Sequence, residues 1–139
     1  MTDAQMDVGA SRAPTAASQR SVLIIEDEAN IIEALKFILS REGWQVFTHS
    51  NGHDAFDAIQ RHQPDAVILD VMLPGRSGYD ILRDLRAEPG LADLPVLMLT
   101  ARGQSKDQDM AQSLGANLFM TKPFANAQIL DALKQLVGG

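Results

Sequence analysis

Three short runs of uninterrupted apolar residues constrain this chain more than anything else in it: Val22-Leu23-Ile24-Ile25, Ala66-Val67-Ile68-Leu69 and Val96-Leu97-Met98-Leu99. A strand with one wet face alternates apolar and polar side chains, whereas a strand covered on both faces does not. The runs therefore predict strands buried between two layers. Each run also stops on polar residues. Glu26-Asp27-Glu28 follow the first, Asp70 the second and Thr100 the third. Trp44 to Thr48 and Asn117 to Met120 are weaker segments that predict two more strands.

Helical periods fill the gaps. Ile31, Leu35, Ile38 and Leu39 form one apolar stripe, and Gly43 stands where a helix C-terminal glycine belongs. Ala55, Phe56 and Ile59 predict a second helix, stopped before Pro64. Ile81, Leu82 and Leu85 predict a third, stopped near Pro89-Gly90. Met110, Ala111 and Leu114 predict a fourth, capped by Gly115. Ile129, Leu130, Leu133, Leu136 and Val137 predict a fifth. Strict alternation of strand and helix implies an α/β fold: a five-stranded parallel sheet with right-handed crossovers and helices on both faces.

Residues 1–20 lack this texture. They are rich in Ala, Ser, Thr and Gln, with Val8 as the lone branched aliphatic, and are expected to form a disordered N-terminal tail ahead of a domain at 21–139. The net charge of −6 argues against direct nucleic-acid binding. No cysteine is present, which excludes disulfides, thiolate metal sites and cysteine nucleophiles. There is no signal-peptide pattern, and no apolar run approaches the ~20 residues of a membrane span. A cytoplasmic location away from membranes is expected.

Ligands of open α/β sheets bind outside the carboxyl ends of the strands. Five successive βα units would bring Glu26, Asp27, Asp70, Thr100 and Lys122 to that one edge. Three carboxylates so close repel one another, and a divalent cation relieves the repulsion. Oxygen ligands without His or Cys select a hard ion, best Mg²⁺. A carboxylate can also act as a nucleophile and form an aspartyl-phosphate. The incoming phosphoryl oxygens then need neutralising by metal, ammonium and hydroxyl, and Asp70, Thr100 and Lys122 offer those parts.

The segments IIEDE at 24–28, ILDVMLPGRSG at 68–78, LTAR at 99–102 and FMTKPF at 119–124 resemble the receiver domain of bacterial two-component response regulators. The likeness runs from Ser21 to the C-terminus. It implies the flavodoxin-like receiver fold, with strand order 2-1-3-4-5, and it implies a set of roles. Asp70 is the phosphoryl acceptor. Asp27 binds Mg²⁺ directly, Glu26 holds it mostly through water, and Asp70 and the Met72 backbone carbonyl complete the protein ligands. Thr100 and Lys122 bind the phosphoryl group, Ala101 leaves room for it, and Thr100 with Phe119 forms the switch. The Lys122–Pro123 bond is cis in similar proteins. Two positions depart from the usual pattern: Glu26 replaces an Asp, and Phe119 replaces the commoner Tyr.

The resemblance implies a phospho-acceptor in signalling rather than a metabolic enzyme, with its own autophosphorylation and autodephosphorylation chemistry. The donor is a histidine kinase or a histidine phosphotransfer protein. A downstream protein reads the face made by the fourth helix, fifth strand and fifth helix. Lys106, Gln108, Asn117, Leu118, Gln128 and Ala132 are expected on or near that face, with Leu118 exposed; because Gln108, Asn117, Leu118, Gln128 and Ala132 cannot form ion pairs, an unphosphorylated monomer, or a dimer by another route, is expected. The chain ends just after the fifth helix, which favours a single-domain regulator; a receiver fragment of a larger regulator or hybrid kinase is the alternative. An aspartyl-phosphate phosphatase is a weak rival, because it needs an acid two residues after the nucleophile, where Met72 stands. A never-phosphorylated receiver would usually have lost the acids, and a flavodoxin-like cofactor binder would need a phosphate loop after the first strand that is missing here. Outside the site, Glu28 is expected in solvent at a helix start, His49, His53 and His62 on the surface, Trp44 in helix–strand packing and the methionines in the core.

Overall fold

The computed structural model describes residues 19–101 and 105–138. Five strands alternate with five helices: β1 (Ser21–Ile25), α1 (Ala29–Arg41), β2 (Gln45–His49), α2 (Ala55–His62), β3 (Ala66–Asp70), α3 (Gly78–Ala87), β4 (Val96–Thr100), α4 (Ser105–Ser113), β5 (Leu118–Thr121) and α5 (Asn126–Val137). All neighbouring strands are parallel, in the order β2-β1-β3-β4-β5. This is the flavodoxin-like architecture expected from the sequence. The two weak strands are the two edges of the sheet, and each begins one residue later than expected.

The apolar runs earn their place through the strand's period of two. Leu23 and Ile25, Val67 and Leu69, and Val96 and Met98 face one way, onto Ala55, Ala58 and Ile59 of α2, Ile81, Leu82 and Leu85 of α3, and Ala111 of α4. Val22 and Ile24, Ala66 and Ile68, and Leu97 and Leu99 face the other, onto Leu35, Ile38 and Leu39 of α1 and Ile129, Ala132 and Leu133 of α5. Burying each Leu or Ile side chain contributes roughly 2–3 kcal/mol. A charge placed on either face of β1, β3 or β4 would thus be buried.

The helix ends follow local chemistry. Gly43, just past α1, takes φ +93°, a conformation that costs glycine nothing. Ser77 caps α3 by accepting a hydrogen bond from the Asp80 N–H at 3.2 Å. Gly78 starts that helix against the end of β3. Its N–H donates to the Val71 carbonyl at 2.9 Å, and a Cβ there would lie 2.2 Å from the Asp70 carbonyl oxygen. Only glycine lets the helix begin this close to Asp70.

Several expectations need correcting. Met98 is buried, but Met72 and Met110 are 63% and 48% exposed, so the methionines are not uniformly core residues. Leu118 is half-buried, because α5 covers that part of the edge strand: Leu118 packs on the core and shares a groove with Asn117, Gln135 and Leu136. Ala132 is buried on the core-facing side of α5 rather than displayed on its outer surface. Trp44 packs against the α1/α5 side of the core, as expected. His49 and His62 are half-buried. His49 pairs with Asp54 at 2.5 Å, and His62 stacks on Phe47 with ring centroids 4.2 Å apart. Residues 1–18, most of the expected tail, lie outside the described residues. Gln19 and Arg20 touch the domain, donating to the Gly43 and Val137 carbonyls at 3.1 and 3.2 Å.

Candidate functional site

Parallel strands deliver their last residues to one edge, and there the structure brings together Glu26, Asp27, Asp70, Thr100 and Lys122. Glu26 directly follows β1, and its N–H donates to the His49 carbonyl at 3.0 Å. Its carboxylate, wholly buried, folds back over its own chain. Oε2 accepts the N–H groups of Asp27 and Glu28, both at 3.1 Å. The extra methylene of Glu over Asp gives that reach. Oε1 lies 2.9 Å from Lys122 Nζ, but among the described residues no directed hydrogen bond reaches it. That contact is an ion pair by distance, and it leaves Oε1 with acceptor capacity to spare.

Asp70 ends β3 and is 3% exposed. Its Oδ1 accepts weakly from the Met72 N–H at 3.4 Å and lies 3.5 Å from Lys122 Nζ. Thr100 ends β4 and is equally buried. Lys122 follows β5, where its N–H donates to the Thr100 carbonyl at 2.7 Å and the Lys122–Pro123 bond is cis. Phe119, on β5, is half-buried and packs on the core beneath α2, α3 and α4. Ala101, just past β4, is exposed.

Electrostatics sets the character of the cluster. Burial, followed by the neighbouring Glu26 carboxylate, pushes the Asp70 carboxyl up to about 6, with Lys122 and the Met72 N–H pulling the other way. Burial alone would make the Lys122 ammonium easier to deprotonate. Its hydrogen bond to Glu28, its contact with Glu26 and the Asp70 charge outweigh that and push it up. Carboxylate oxygens of Glu26, Asp27 and Asp70 all lie within 4.8 Å of one another. Three acids at that spacing, all oxygen ligands, with one buried oxygen that no hydrogen-bond donor among the described residues satisfies, fit a hard divalent cation such as Mg²⁺.

One contact is not evident from residue order. Glu28 is not merely solvated: its Oε1 accepts a hydrogen bond from Lys122 Nζ at 2.9 Å. The signal was present in a third consecutive acid, but the partner lies 94 residues away in sequence. None of the three histidines joins the acidic cluster, consistent with a hard-ion site.

Known proteins share this fold. The family model of the response regulator receiver domain matches residues 22–134. A crystallised protein described as a response regulator of Chloroflexus aurantiacus superposes with a TM-score of 0.84 at 32% identity, covering 88% of this chain and all of that one. The receiver domain of a signal transduction histidine kinase from Syntrophus aciditrophicus gives 0.79 at 33% identity, covering 86% and 91%. The receiver domain of a sensor histidine kinase from Pseudomonas aeruginosa gives 0.80 at 26% identity, covering 88% and 100%, and holds a magnesium ion in its active-site cleft. With the strand order, the acidic cluster and the family match in agreement, this chain belongs to the receiver domains of two-component response regulators.

Proposed function

We propose that the protein is a phosphorylation switch whose acceptor is Asp70. The observation that carries this reading is the buried carboxylate of Asp70 at the end of the central strand, flanked by two further acids and by the Lys122 ammonium at 3.5 Å. The donor is the phosphohistidine of a histidine kinase or phosphotransfer protein. Asp70 Oδ attacks phosphorus and a P–O bond forms as the P–N bond breaks. The electron pair stays on the imidazole nitrogen, which takes a proton from solvent. Loss to water later returns Asp70 and inorganic phosphate.

Each neighbour has a task. Glu26, Asp27, Asp70 and the Met72 carbonyl would hold Mg²⁺. When bound, the ion neutralises charge on the phosphoryl oxygens. Lys122 supplies the opposing positive charge, and the Thr100 hydroxyl donates to a phosphoryl oxygen. Phe119, half-buried on β5, follows Thr100 when Thr100 moves, and that motion alters the face made by α4, β5 and α5. A downstream protein reads that face. The resting chain is a monomer that works in the cytoplasm. Among the described residues, no helix is long and apolar enough to cross a membrane.

The phosphatase alternative lacks its acid: Met72, two residues after Asp70, has no proton to give. Incubation with acetyl phosphate and Mg²⁺ tests the assignment by intact-mass analysis. The wild type should gain one phosphoryl group and Asp70→Asn none. Equal labelling of both proteins would refute it.

A further inference from the structure

We infer that Glu28 is a positioning residue for Lys122, holding its ammonium back from the phosphoryl site in the resting state and releasing it when Asp70 is phosphorylated. The inference rests on the phospho-acceptor reading above. Nζ stands 2.9 Å from Glu28 Oε1, 2.9 Å from Glu26 Oε1 and 3.5 Å from Asp70 Oδ1. Among the described residues, its directed hydrogen bond goes to Glu28, while Glu26 Oε1 receives none and Asp70 sits at the outer limit of bonding distance. The ammonium is therefore drawn toward the start of α1 rather than onto the acceptor.

Glu28 is built to do this. It is the N-cap residue of α1, yet its side chain makes no capping hydrogen bond. Its backbone is fixed from both sides: its N–H donates to Glu26 Oε2, and its carbonyl accepts from the Ile32 N–H at 3.0 Å. The carboxylate is thus free of helix duty and presented from a rigid frame. Lys122 does not need it to stay charged, since the wholly buried Glu26 and the nearly buried Asp70 already supply two negative partners.

The pair is weak enough to open. The Glu28 side chain is 59% exposed, and ion pairs so exposed contribute little. A phosphoryl group on Asp70 brings up to two negative charges and three acceptor oxygens next to Nζ. That outbids one solvated carboxylate. Breaking the Glu28 contact is part of reaching the phosphorylated state, and Glu28 slows the approach by a few-fold rather than blocking it.

The test follows phosphorylation of the full chain by intact-mass time courses with acetyl phosphate and Mg²⁺. In that reaction the O–P bond of the donor breaks, its electron pair leaves on acetate, and the P–O bond to Asp70 forms. Glu28→Ala removes charge and contact; Glu28→Asp keeps the charge but loses the reach. Glu28→Ala should phosphorylate roughly two- to fivefold faster than wild type, the range an exposed pair can supply. Glu28→Asp should also be faster. Direct repulsion between the Glu28 charge and the donor would speed acetyl phosphate more than phosphoramidate, a donor of lower negative charge; release of Lys122 speeds both alike. A rate for Glu28→Asp at or below wild type, or an acceleration confined to acetyl phosphate, overturns the inference. If the wild type takes no phosphoryl group, the acceptor reading fails instead. A crystal structure of Glu28→Ala still decides the contact: Nζ should move closer to Asp70, and an unmoved Nζ refutes it.

Discussion

Replacing Asp70 by Asn should make the metal-free protein more stable at neutral pH while abolishing phosphorylation. The reason is that Asp70 is ionised at neutral pH in a place that opposes ionisation. Its carboxyl lies at about 6 instead of 3.8, first because it is buried and then because Glu26 is beside it. The folded state therefore binds the Asp70 proton more tightly than the unfolded chain does. Stability from this group is fully present below about pH 4 and is lost as pH rises toward 6. At pH 7.5 the loss is about 3 kcal/mol, with the attraction of Lys122 already included; at pH 4.5 it is about 1 kcal/mol. Asn keeps the shape of the protonated acid without the charge. In urea unfolding with a chelator present, Asp70→Asn should gain up to about 3 kcal/mol over wild type at pH 7.5 and about 1 kcal/mol at pH 4.5. Mg²⁺ at a hundred times its dissociation constant should add about 2.7 kcal/mol to the wild type and much less to the variant. A variant less stable than wild type at pH 7.5, or a gain unaffected by pH, would show that the acidic cluster is not strained in the way described.

Other substitutions probe neighbouring links. Lys122→Met should lower metal-free stability by about 3–5 kcal/mol, because Glu26 and Asp70 lose their buried counter-charge; denaturant melts check this, and phosphorylation by acetyl phosphate should fall with it. Gly78→Ala forces a Cβ to within 2.2 Å of the Asp70 carbonyl, so α3 must shift; a loss of about 1–3 kcal/mol is expected, together with slower phosphorylation. A Gly78→Ala protein with wild-type melting and rate would mean that the close approach has no consequence. Phe119→Ala should accept phosphoryl groups normally but bind its downstream partner with little dependence on them, as read by calorimetry with and without beryllofluoride.

The sheet was legible because the strands that matter are buried on both faces, and Val22–Ile25, Ala66–Leu69 and Val96–Leu99 can be read as nothing else that fits helices between them. The edges were harder to read. At β5, the sequence shows Leu118 as an apolar residue on an edge strand, and only the packing of α5 decides that it is covered. Ala132 was misplaced for a similar reason: a small residue carries little polarity signal, and its side of the helix follows from Ile129 and Leu133 beside it. The acidic cluster was legible from strand ends alone, since topology gathers them. Contacts set by side-chain reach were not. Glu26 turning back onto two N–H groups of its own chain, and Glu28 reaching Lys122, depend on rotamers that residue order does not record. Residue type points Met72 and Met110 to the core, whereas one sits in the bend after β3 and the other is exposed on α4.

The measurement closest to the central claim is phosphotransfer from a phosphohistidine protein in the presence of Mg²⁺, followed by peptide mapping of the acceptor. One phosphoryl group is expected, carried by the peptide that contains Asp70, and none on Asp70→Asn or when Mg²⁺ is chelated. A phosphoryl group on any other residue, or transfer that proceeds equally well on Asp70→Asn, would contradict it.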